Sequence, residues 1–462
     1  MSKMILTVIG GGSVNWMRGL MRDVYLLDKV DGGEIRLVDP NIENVNAVAD
    51  MLRAFNKMRG KDYKISVVEN RAEALSNADF VMTTFSPGEM SAFWNDLELP
   101  KKYGICQPVS MTVGPSGISA ALRTIPVAYE IVSDMEKYCP DAWLLNVTNP
   151  MSTVTRAMNM ASKKTKIIGL CHEFHALPSL LGPMLGLYKP DNINVLEYLY
   201  DWLPKQGFLY TVAGVNHFIW LTSASLNGED VTYKIREYCH SHSEIRPVDN
   251  GNLQATSSYV NNNSAKLALC RQLGYLPLAG DRHLIEFYPS LCNIRNGYGM
   301  KYNVLKTTVD SRKLSKEHYL ADINAIARGQ KEVKWTRSGE EMTAIMQAII
   351  TGKQTVGIMN MPNTGQISNM PNDAVVETLC KVSKEGVTPI LSGELPGSVG
   401  SLCRLHADVH ELTVKAALQG DKRLFVEALS LDPLSGGADF SELCLLADDL
   451  LEANKKWLPR FF

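Results

Sequence analysis

The fold is decided by the stretch ILTVIGGGSVN, residues 5–15. A run of strand-forming residues leads into three glycines and then into an amphipathic segment, which is typical of a strand, a tight turn and a helix N-terminus. Gly10 would allow the tight turn, and Gly12 would let the backbone approach a pyrophosphate group at the start of the helix. Because Asn15 replaces the third glycine of the usual fingerprint, the motif alone is degenerate.

The next predicted strand supports a nucleotide site, since IRLVD, residues 35–39, ends in an acid. Asp39 could accept hydrogen bonds from ribose hydroxyls and would repel a 2′-phosphate, which favours NAD over NADP. The alternative is an ordinary βα turn, with Asp39 as a helix N-cap. Strand, turn, helix, strand and acid arrive in the expected order, so we assign Gly10, Gly12, Ser13 and Asp39 to cofactor binding.

The first 170 residues alternate short apolar runs with amphipathic stretches. The predicted strands are 4–9, 34–39, 64–68, 79–84, 142–146 and 166–170, and the predicted helices are 13–29, 41–59, 71–77, 117–138 and 151–162. This alternation predicts an α/β fold, with a doubly wound Rossmann domain over residues 1–195.

The regular alternation of strands and helices ends after residue 195. We predict that residues 196–462 form a mixed α+β, largely helical domain for substrate binding and oligomerisation. Residues 207–226 are predicted to be β-structure, followed by helices at 255–275, 314–328, 338–351, 398–418 and 441–456. Residues 243–263, rich in Ser and Asn, are a candidate lid. Since no linker separates the halves, we expect the active site at their interface.

Composition limits the partners. The chain has 462 residues, 45% hydrophobic and 21% charged, with a net charge of −2. It has no long Lys/Arg run, which disfavours nucleic acid and acidic membranes, and no apolar stretch of the roughly 20 residues that a membrane span requires. The N-terminus enters a strand without a signal sequence, and nine cysteines lack CxxC pairs, so we expect a cytoplasmic protein.

Two further strand ends carry candidate residues. Ser86 follows the predicted strand 79–84, and Asn149 lies in NVTNP, residues 146–150. Ligands of doubly wound folds lie beyond the carboxyl ends of the strands. We therefore predict that Ser86 contacts the cofactor and that Asn149 faces both nicotinamide and substrate, although the Asn-Pro pair could also be a plain turn.

The triplet Cys171-His172-Glu173 follows the predicted strand 166–170, at the same sheet edge. All three residue types can bind metals or transfer protons, but three successive residues cannot face one point, so at most two serve one site. Asn216-His217 ends a β-like run, and His217 could complete a metal site with Cys171 that is open to substrate. The alternatives are a buried structural cysteine and a structural histidine.

A third cluster, Asp281-Arg282, follows an apolar segment. Its simplest interpretation is a surface ion pair. Spacing alone does not connect it with the other two clusters.

Together these motifs resemble glycoside hydrolase family 4, the NAD- and metal-dependent glycosidases, along essentially the whole chain. The resemblance rests on the glycine turn and on NVTNP (146–150), CHE (171–173), NH (216–217), NMPNTGQI (360–367) and HELTVKAA (410–417). The Cys-His-Glu triplet is similar to that of the α-galacturonidase branch.

The resemblance implies NAD and a divalent metal, usually manganese, held by Cys171 and His217. Asp281 matches the aspartate that serves as base, and His172 lies where related enzymes place their acid. In the implied mechanism, sugar C3 gives a hydride to NAD, the base removes the C2 proton, the leaving group departs, and water and hydride are then returned. It also implies that Cys171 is ionised and readily oxidised.

A galacturonide carries a carboxylate, which requires a cation. Arg282 and His283 are the nearest candidates, followed by Arg123 and Arg404, and a bidentate arginine contact would give selectivity. Asn216 is expected to contact the substrate, a small glycoside. The family resemblance also implies a homodimer or homotetramer.

Three alternatives remain open from the sequence. A neutral-sugar α-glucosidase or α-galactosidase would belong to the same family. A lactate/malate-type dehydrogenase shares the nucleotide fold and the Asn-Pro turn but needs no metal. A non-catalytic NAD sensor would bind the cofactor without depending on Cys171.

Overall fold

The structure is a computed structural model that describes residues 2–245 and 262–462. The strands of the described residues are β1 (Ser2–Ile9), β2 (Val30–Val38), β3 (Asp62–Val67), β4 (Phe80–Thr83), β5 (Trp143–Asn146), β6 (Lys166–Gly169), β7 (Phe208–Val215), β8 (Phe218–Leu226), β9 (Glu229–Asp230), β10 (Leu276–Pro277), β11 (Thr355–Pro362), β12 (Val375–Ser383) and β13 (Gly386–Pro389). They form one sheet, in the order β3-β2-β1-β4-β5-β6-β11-β12-β7-β8-β10, with β13 beside β12 and β9 beside β8.

The first six strands are parallel and adopt the doubly wound order 3-2-1-4-5-6. All six lie where the sequence predicted strands. The helices of this part are α1 (Val14–Val24), α2 (Ile42–Arg59), α3 (Arg71–Leu75), α4 (Glu89–Glu98), α5 (Gly114–Tyr138) and α6 (Met151–Ala161); α4 was not predicted. The strand order reverses between β1 and β4, which places the ligand crevice beyond their carboxyl ends.

Later segments extend the same sheet with antiparallel pairing. The predicted β-structure at 207–226 is the hairpin β7–β8. Two strands that the sequence analysis missed, β11 and β12, pair with each other and lie between β6 and β7. The sheet therefore continues through both proposed domains, whose boundary at 195/196 stays a prediction.

The helices of the second part complete both layers around the sheet. They are α7 (Leu177–Leu185), α8 (Val195–Glu197), α9 (Leu203–Lys205), α10 (Thr232–Ser241), α11 (Ser264–Leu273), α12 (Asp281–Leu284), α13 (Val309–Ala327), α14 (Glu341–Thr351), α15 (Gly397–Gln419), α16 (Lys422–Leu431) and α17 (Phe440–Ala453). The predicted lid at 243–263 lies almost entirely outside the described residues, as does the first part of the predicted helix 255–275.

On each face of the sheet, helices from the N-terminal and C-terminal parts of the chain pack into one apolar cluster. On one face, Met17 and Phe55 of α1 and α2 belong to the same apolar cluster as Ile323 and Met346 of α13 and α14. On the other face, α5 and α6 share a cluster with α15, α16 and α17. The α/β fold with a largely helical second part is thus confirmed. In the described part of the chain, no helix combines the length and apolarity that a membrane crossing needs.

Candidate active site

The glycine turn is sterically obligatory at its first position. Gly10 has a φ of +93°, and a Cβ there would lie 2.0 Å from the carbonyl oxygen of Thr84. The backbone N–H groups of Gly10 and Gly11 both donate to the carbonyl of Val38, at 2.8 and 3.0 Å. The end of β1 is therefore fixed against the ends of β2 and β4, and only glycine fits this position.

Asp39 is held against the same turn. One carboxylate oxygen accepts the N–H of Gly12 at 2.9 Å, and the other accepts the N–H of Asn41 at 2.8 Å. Asn41, and not Asp39, caps α2, since its side chain accepts the N–H of Asn44. An ionised carboxylate has about four lone-pair positions, so Asp39 keeps acceptor capacity for a ribose diol. The glycine turn, the N-terminus of α1 and the carboxylate of Asp39 together form a site that suits a dinucleotide.

The ends of β4 and β5 provide the other wall of this crevice. The Ser13 hydroxyl lies 3.4 Å from that of Thr84, and Ser86 is exposed on the chain that leaves β4. Asn149 precedes Pro150 through a cis peptide bond. Its side-chain oxygen is buried and has no hydrogen-bond partner among the described residues, as expected of an acceptor that a ligand would satisfy.

Residues paired across four neighbouring strands explain why Cys171 and Asn216 lie close together. Gly169 of β6 pairs with Asn360 of β11, Asn360 pairs with Glu377 of β12, and Glu377 pairs with Gly214 of β7. Cys171 and Asn216 each lie two residues beyond the outer members of this row. The late strands β11 and β12 thus bring two distant strand ends to one place.

Cys171 lies at the centre of this cluster and is partly buried. Burial, followed by the nearby carboxylates of Glu377 and Glu173, raises the pKa of the Cys171 thiol well above its usual range. A hydrogen bond from the side chain of Asn216 opposes this rise. Without a cation this environment favours the thiol, and a bound metal would favour the thiolate that the sequence predicts.

His217 is positioned by its place in a turn and by two side-chain contacts. It occupies the turn between β7 and β8 with a φ of +63°, its Nδ1 lies 2.9 Å from the Thr112 hydroxyl, and its ring stacks on that of His283 at a centroid distance of 3.8 Å. Burial lowers the pKa of His217 to about 4, so the imidazole is neutral, which is the form that binds metals. Because Thr112 engages Nδ1, Nε2 is the ring nitrogen that could bind a metal.

The other two residues of the triplet point in different directions, Glu173 into the protein and His172 towards the surface. Glu173 points inward, where its carboxylate accepts the N–H of Gly280 at 2.5 Å and lies 3.7 Å from Nε2 of His283. His172 is 45% exposed, with its Nδ1 3.3 Å from the carboxylate of Glu340.

Asp281 and Arg282 do not form the surface ion pair that was the simplest interpretation, because both are buried. The carboxylate of Asp281 accepts the backbone N–H groups of Ala265 and Lys266 at 3.1 and 3.2 Å, at the start of α11. Burial raises the pKa of Asp281, although Lys266 opposes this. The guanidinium of Arg282 donates to the hydroxyl of Thr307 at 3.2 Å.

The two more distant arginine candidates are engaged elsewhere. Arg123 forms a buried ion pair with Asp96, at 2.5 and 3.2 Å. Arg404 donates to the carbonyl of Asn369 at 3.0 Å.

Three residues of this cluster were missed by sequence reasoning. Thr112 lies in a loop that carries no periodic sequence pattern. Asn360 belongs to the motif NMPNTGQI, but the motif gave no reason to place it in the site. Glu377 could have been found, because a single acid interrupts the apolar run AVVETLC, residues 374–380. Its carboxylate accepts the side-chain N–H groups of Asn360 and Asn216, at 2.7 and 3.3 Å.

The donor set fits a divalent metal with open positions. Over residues 2–245 and 262–462, no three His, Cys, Asp or Glu side chains form a complete metal-binding group. Cys171 and His217 could hold an ion only if water or substrate supplied the remaining ligands, as in an open catalytic site. The partly buried carboxylate of Glu173 beside the Cys171 sulfur favours positive charge there, whereas burial raises the pKa of the neighbouring Glu377 to about 8.

Comparisons with known proteins cover nearly the whole chain. Residues 5–187 match the model of "Family 4 glycosyl hydrolase", and residues 212–435 match that of its C-terminal domain. An α-galacturonidase of Lachnoclostridium phytofermentans is 32% identical, covering 98% of this chain and 97% of its own. The crystal structure of lplD from Bacillus subtilis is 31% identical, with a TM-score of 0.85, and covers 97% of this chain and 100% of its own.

One further structure shares the fold. A 6-phospho-α-glucosidase from gut microorganisms, solved with NAD and Mn²⁺, is 21% identical with a TM-score of 0.82, and each chain is covered over its whole length.

Proposed function

The chain belongs to the family 4 glycosyl hydrolases, and from that premise we propose that it hydrolyses α-galacturonides with NAD and a divalent metal. The observation that carries the proposal is the identity of 32% to an α-galacturonidase over nearly the full length of both proteins. Family membership removes the lactate/malate-type dehydrogenase and the non-catalytic sensor as alternatives. The proposed partner is a small uronide, and the proposed assembly is a homodimer or homotetramer.

The cofactor site of the proposal consists of Gly10, Gly12, Ser13, Asp39, Ser86 and Asn149. The hydrogen bonds between Asp39 and the turn support it, because they prepare an acidic acceptor at the end of β2.

The metal site of the proposal consists of Cys171 and His217, and Mn²⁺ is the proposed ion. When bound, NAD supplies a reversible hydride acceptor for sugar C3, and the metal supplies a Lewis acid for the neighbouring oxygens. A neutral, hydrogen-bonded His217 supports the assignment, since only unprotonated imidazole can donate to an ion.

The proton transfers are assigned to Asp281 and His172. We assign removal of the C2 proton to Asp281, and burial of its carboxylate strengthens it as a base. We assign His172 to the leaving-group oxygen, because its imidazole is half-exposed and its Nδ1 faces Glu340. Asn149 and Asn216 orient the sugar, and each has a buried side-chain oxygen without a hydrogen-bond partner in the described part of the chain.

Recognition of the uronate is assigned to Arg282. Its guanidinium is buried at the start of α12, one residue after Asp281, where a carboxylate contact would be shielded from water. A charge-assisted bidentate contact is about twice as strong as a neutral hydrogen bond, which would favour a galacturonide over a galactoside.

The test compares nitrophenyl α-galacturonide, α-galactoside and α-glucoside with NAD⁺, Mn²⁺ and a thiol reductant. We expect hydrolysis of the galacturonide without net accumulation of NADH, and loss of turnover with a chelator. Arg282→Lys should raise KM for the galacturonide more than tenfold. Hydrolysis of a neutral glycoside in preference to the galacturonide would refute the substrate assignment, and steady NADH production without metal would refute the reaction.

A further inference from the structure

Glu377 is a buried carboxylate in the middle of the strand row that joins the ends of β6 and β7. Its side chain is 2% exposed. One of its oxygens accepts from two amides, Nδ2 of Asn360 at 2.7 Å and Nδ2 of Asn216 at 3.3 Å. Asn360 and Asn216 are themselves buried. Nothing in the mechanism above uses this carboxylate.

The Glu377 contact determines which way the Asn216 amide points. Oε1 of Glu377 accepts Nδ2 of both Asn360 and Asn216, which is the orientation in which Nδ2 of Asn216 faces the strand β12. The Asn216 side chain lies close enough to Cys171 to oppose the rise in the pKa of its thiol. Its Oδ1 is left buried, with no partner among residues 2–245 and 262–462.

We propose that Glu377, supported by Asn360, is a positioning residue that fixes the Asn216 amide between the two metal-binding residues. This inference rests on the proposed metal site. In this arrangement, the Asn216 amide is held beside Cys171 with its Nδ2 on Glu377, and the amide oxygen is kept for a substrate hydroxyl. Because His217 directly follows Asn216, the same contact fixes the turn that carries the second ligand.

The expected size of the effect follows from what the substitution leaves behind. Glu377→Leu removes the acceptor and leaves two buried amides without it, which allows Asn216 to rotate away from the sulfur. Loss of partners that orient metal ligands typically weakens metal binding 10- to 100-fold. Glu377→Gln keeps an amide oxygen that can accept both N–H groups, so it should retain most of the affinity.

The experiment titrates the protein with MnCl₂ at saturating NAD⁺ and follows free Mn²⁺ by electron paramagnetic resonance. This measurement does not depend on turnover. We expect Kd for Mn²⁺ to rise about 10- to 100-fold in Glu377→Leu and less than about fivefold in Glu377→Gln. Kd for NAD⁺ should stay within twofold in both. Thr378→Val is the matched control, because Thr378 is the adjacent buried residue on the opposite face of β12.

A second variant covers the case in which Glu377→Leu does not fold. Asn360→Leu removes one of the two donors, and we expect it to weaken Mn²⁺ binding about 3- to 10-fold. The double variant Glu377→Leu/Asn360→Leu should bind Mn²⁺ no more weakly than Glu377→Leu alone, because both substitutions act through the same contact.

The outcomes separate this inference from the proposed function. Mn²⁺ binding within threefold of wild type in Glu377→Leu, or in Asn360→Leu if the former does not fold, would overturn the role of Glu377 and leave the metal site intact. Equal, severe losses in Glu377→Leu and Glu377→Gln would also overturn it, because charge and not orientation would then matter. A wild-type protein that binds no Mn²⁺ would overturn both.

Discussion

Replacing Gly10 with alanine tests the role of the glycine turn in cofactor binding. The added Cβ would lie 2.0 Å from the carbonyl oxygen of Thr84, and a φ of +93° is strained for any L side chain. A left-handed conformation costs roughly 1–2 kcal/mol, and overpacking in a filled site typically costs about 1–3 kcal/mol. Together these give about 2–5 kcal/mol, divided between lost stability and a displaced β1–α1 turn.

The matched control is Gly19→Ala, in the interior of α1. A Cβ at Gly19 would meet no atom within 4 Å, so alanine there should leave binding unchanged and stabilise the helix by up to about 1 kcal/mol. Isothermal titration with NAD⁺ and thermal unfolding measure both effects. If about half of this free energy falls on binding, Gly10→Ala should weaken NAD⁺ binding about 5- to 60-fold, since 1.4 kcal/mol corresponds to a factor of ten. Unchanged Kd and Tm in Gly10→Ala would refute the steric argument.

Three further predictions concern single contacts. Asp39→Ala should weaken NAD⁺ binding about 10-fold or more and narrow its preference over NADP⁺, as measured by titration with both cofactors, because the acidic acceptor beside Gly12 is lost; an unchanged preference would contradict this. Thr112→Val should weaken Mn²⁺ binding roughly 10-fold in the same paramagnetic resonance titration, because His217 loses the partner of its Nδ1; wild-type affinity would show that the contact is dispensable. Arg123→Met should lower the free energy of unfolding by about 3–5 kcal/mol in denaturant titration, because Asp96 stays buried and unpaired; a change in KM for the galacturonide without loss of stability would instead place Arg123 at the substrate.

Much of the fold could be predicted because local patterns determine it. The strands β1 to β6 are short apolar runs between helical patterns, and the glycine turn and Asp39 follow from their order along the chain. The strands β11 and β12 could not be predicted in this way. They join the sheet through antiparallel pairing with β6 and β7, segments about 160 to 190 residues earlier, and no local signal encodes such a long-range pairing.

The candidate site was predictable only in part, for the same reason. Cys171 and His217 could be proposed as one site because both follow strand ends. The residues that orient them, Thr112 and Glu377, come from a loop and from a late strand. Burial also raises the pKa of the Cys171 thiol, so the ionised cysteine that the sequence predicts requires a bound cation.

The proposed oxidation and elimination can be tested most directly by hydrolysis in D₂O. If a base removes the C2 proton before the leaving group departs, water must later return a proton to that carbon, and in D₂O it returns a deuteron. The account predicts galacturonic acid that carries one carbon-bound deuterium, at C2, as seen by proton NMR and mass spectrometry. Product that forms at the wild-type rate with no deuterium at C2 would contradict it, because direct displacement at C1 leaves C2 untouched.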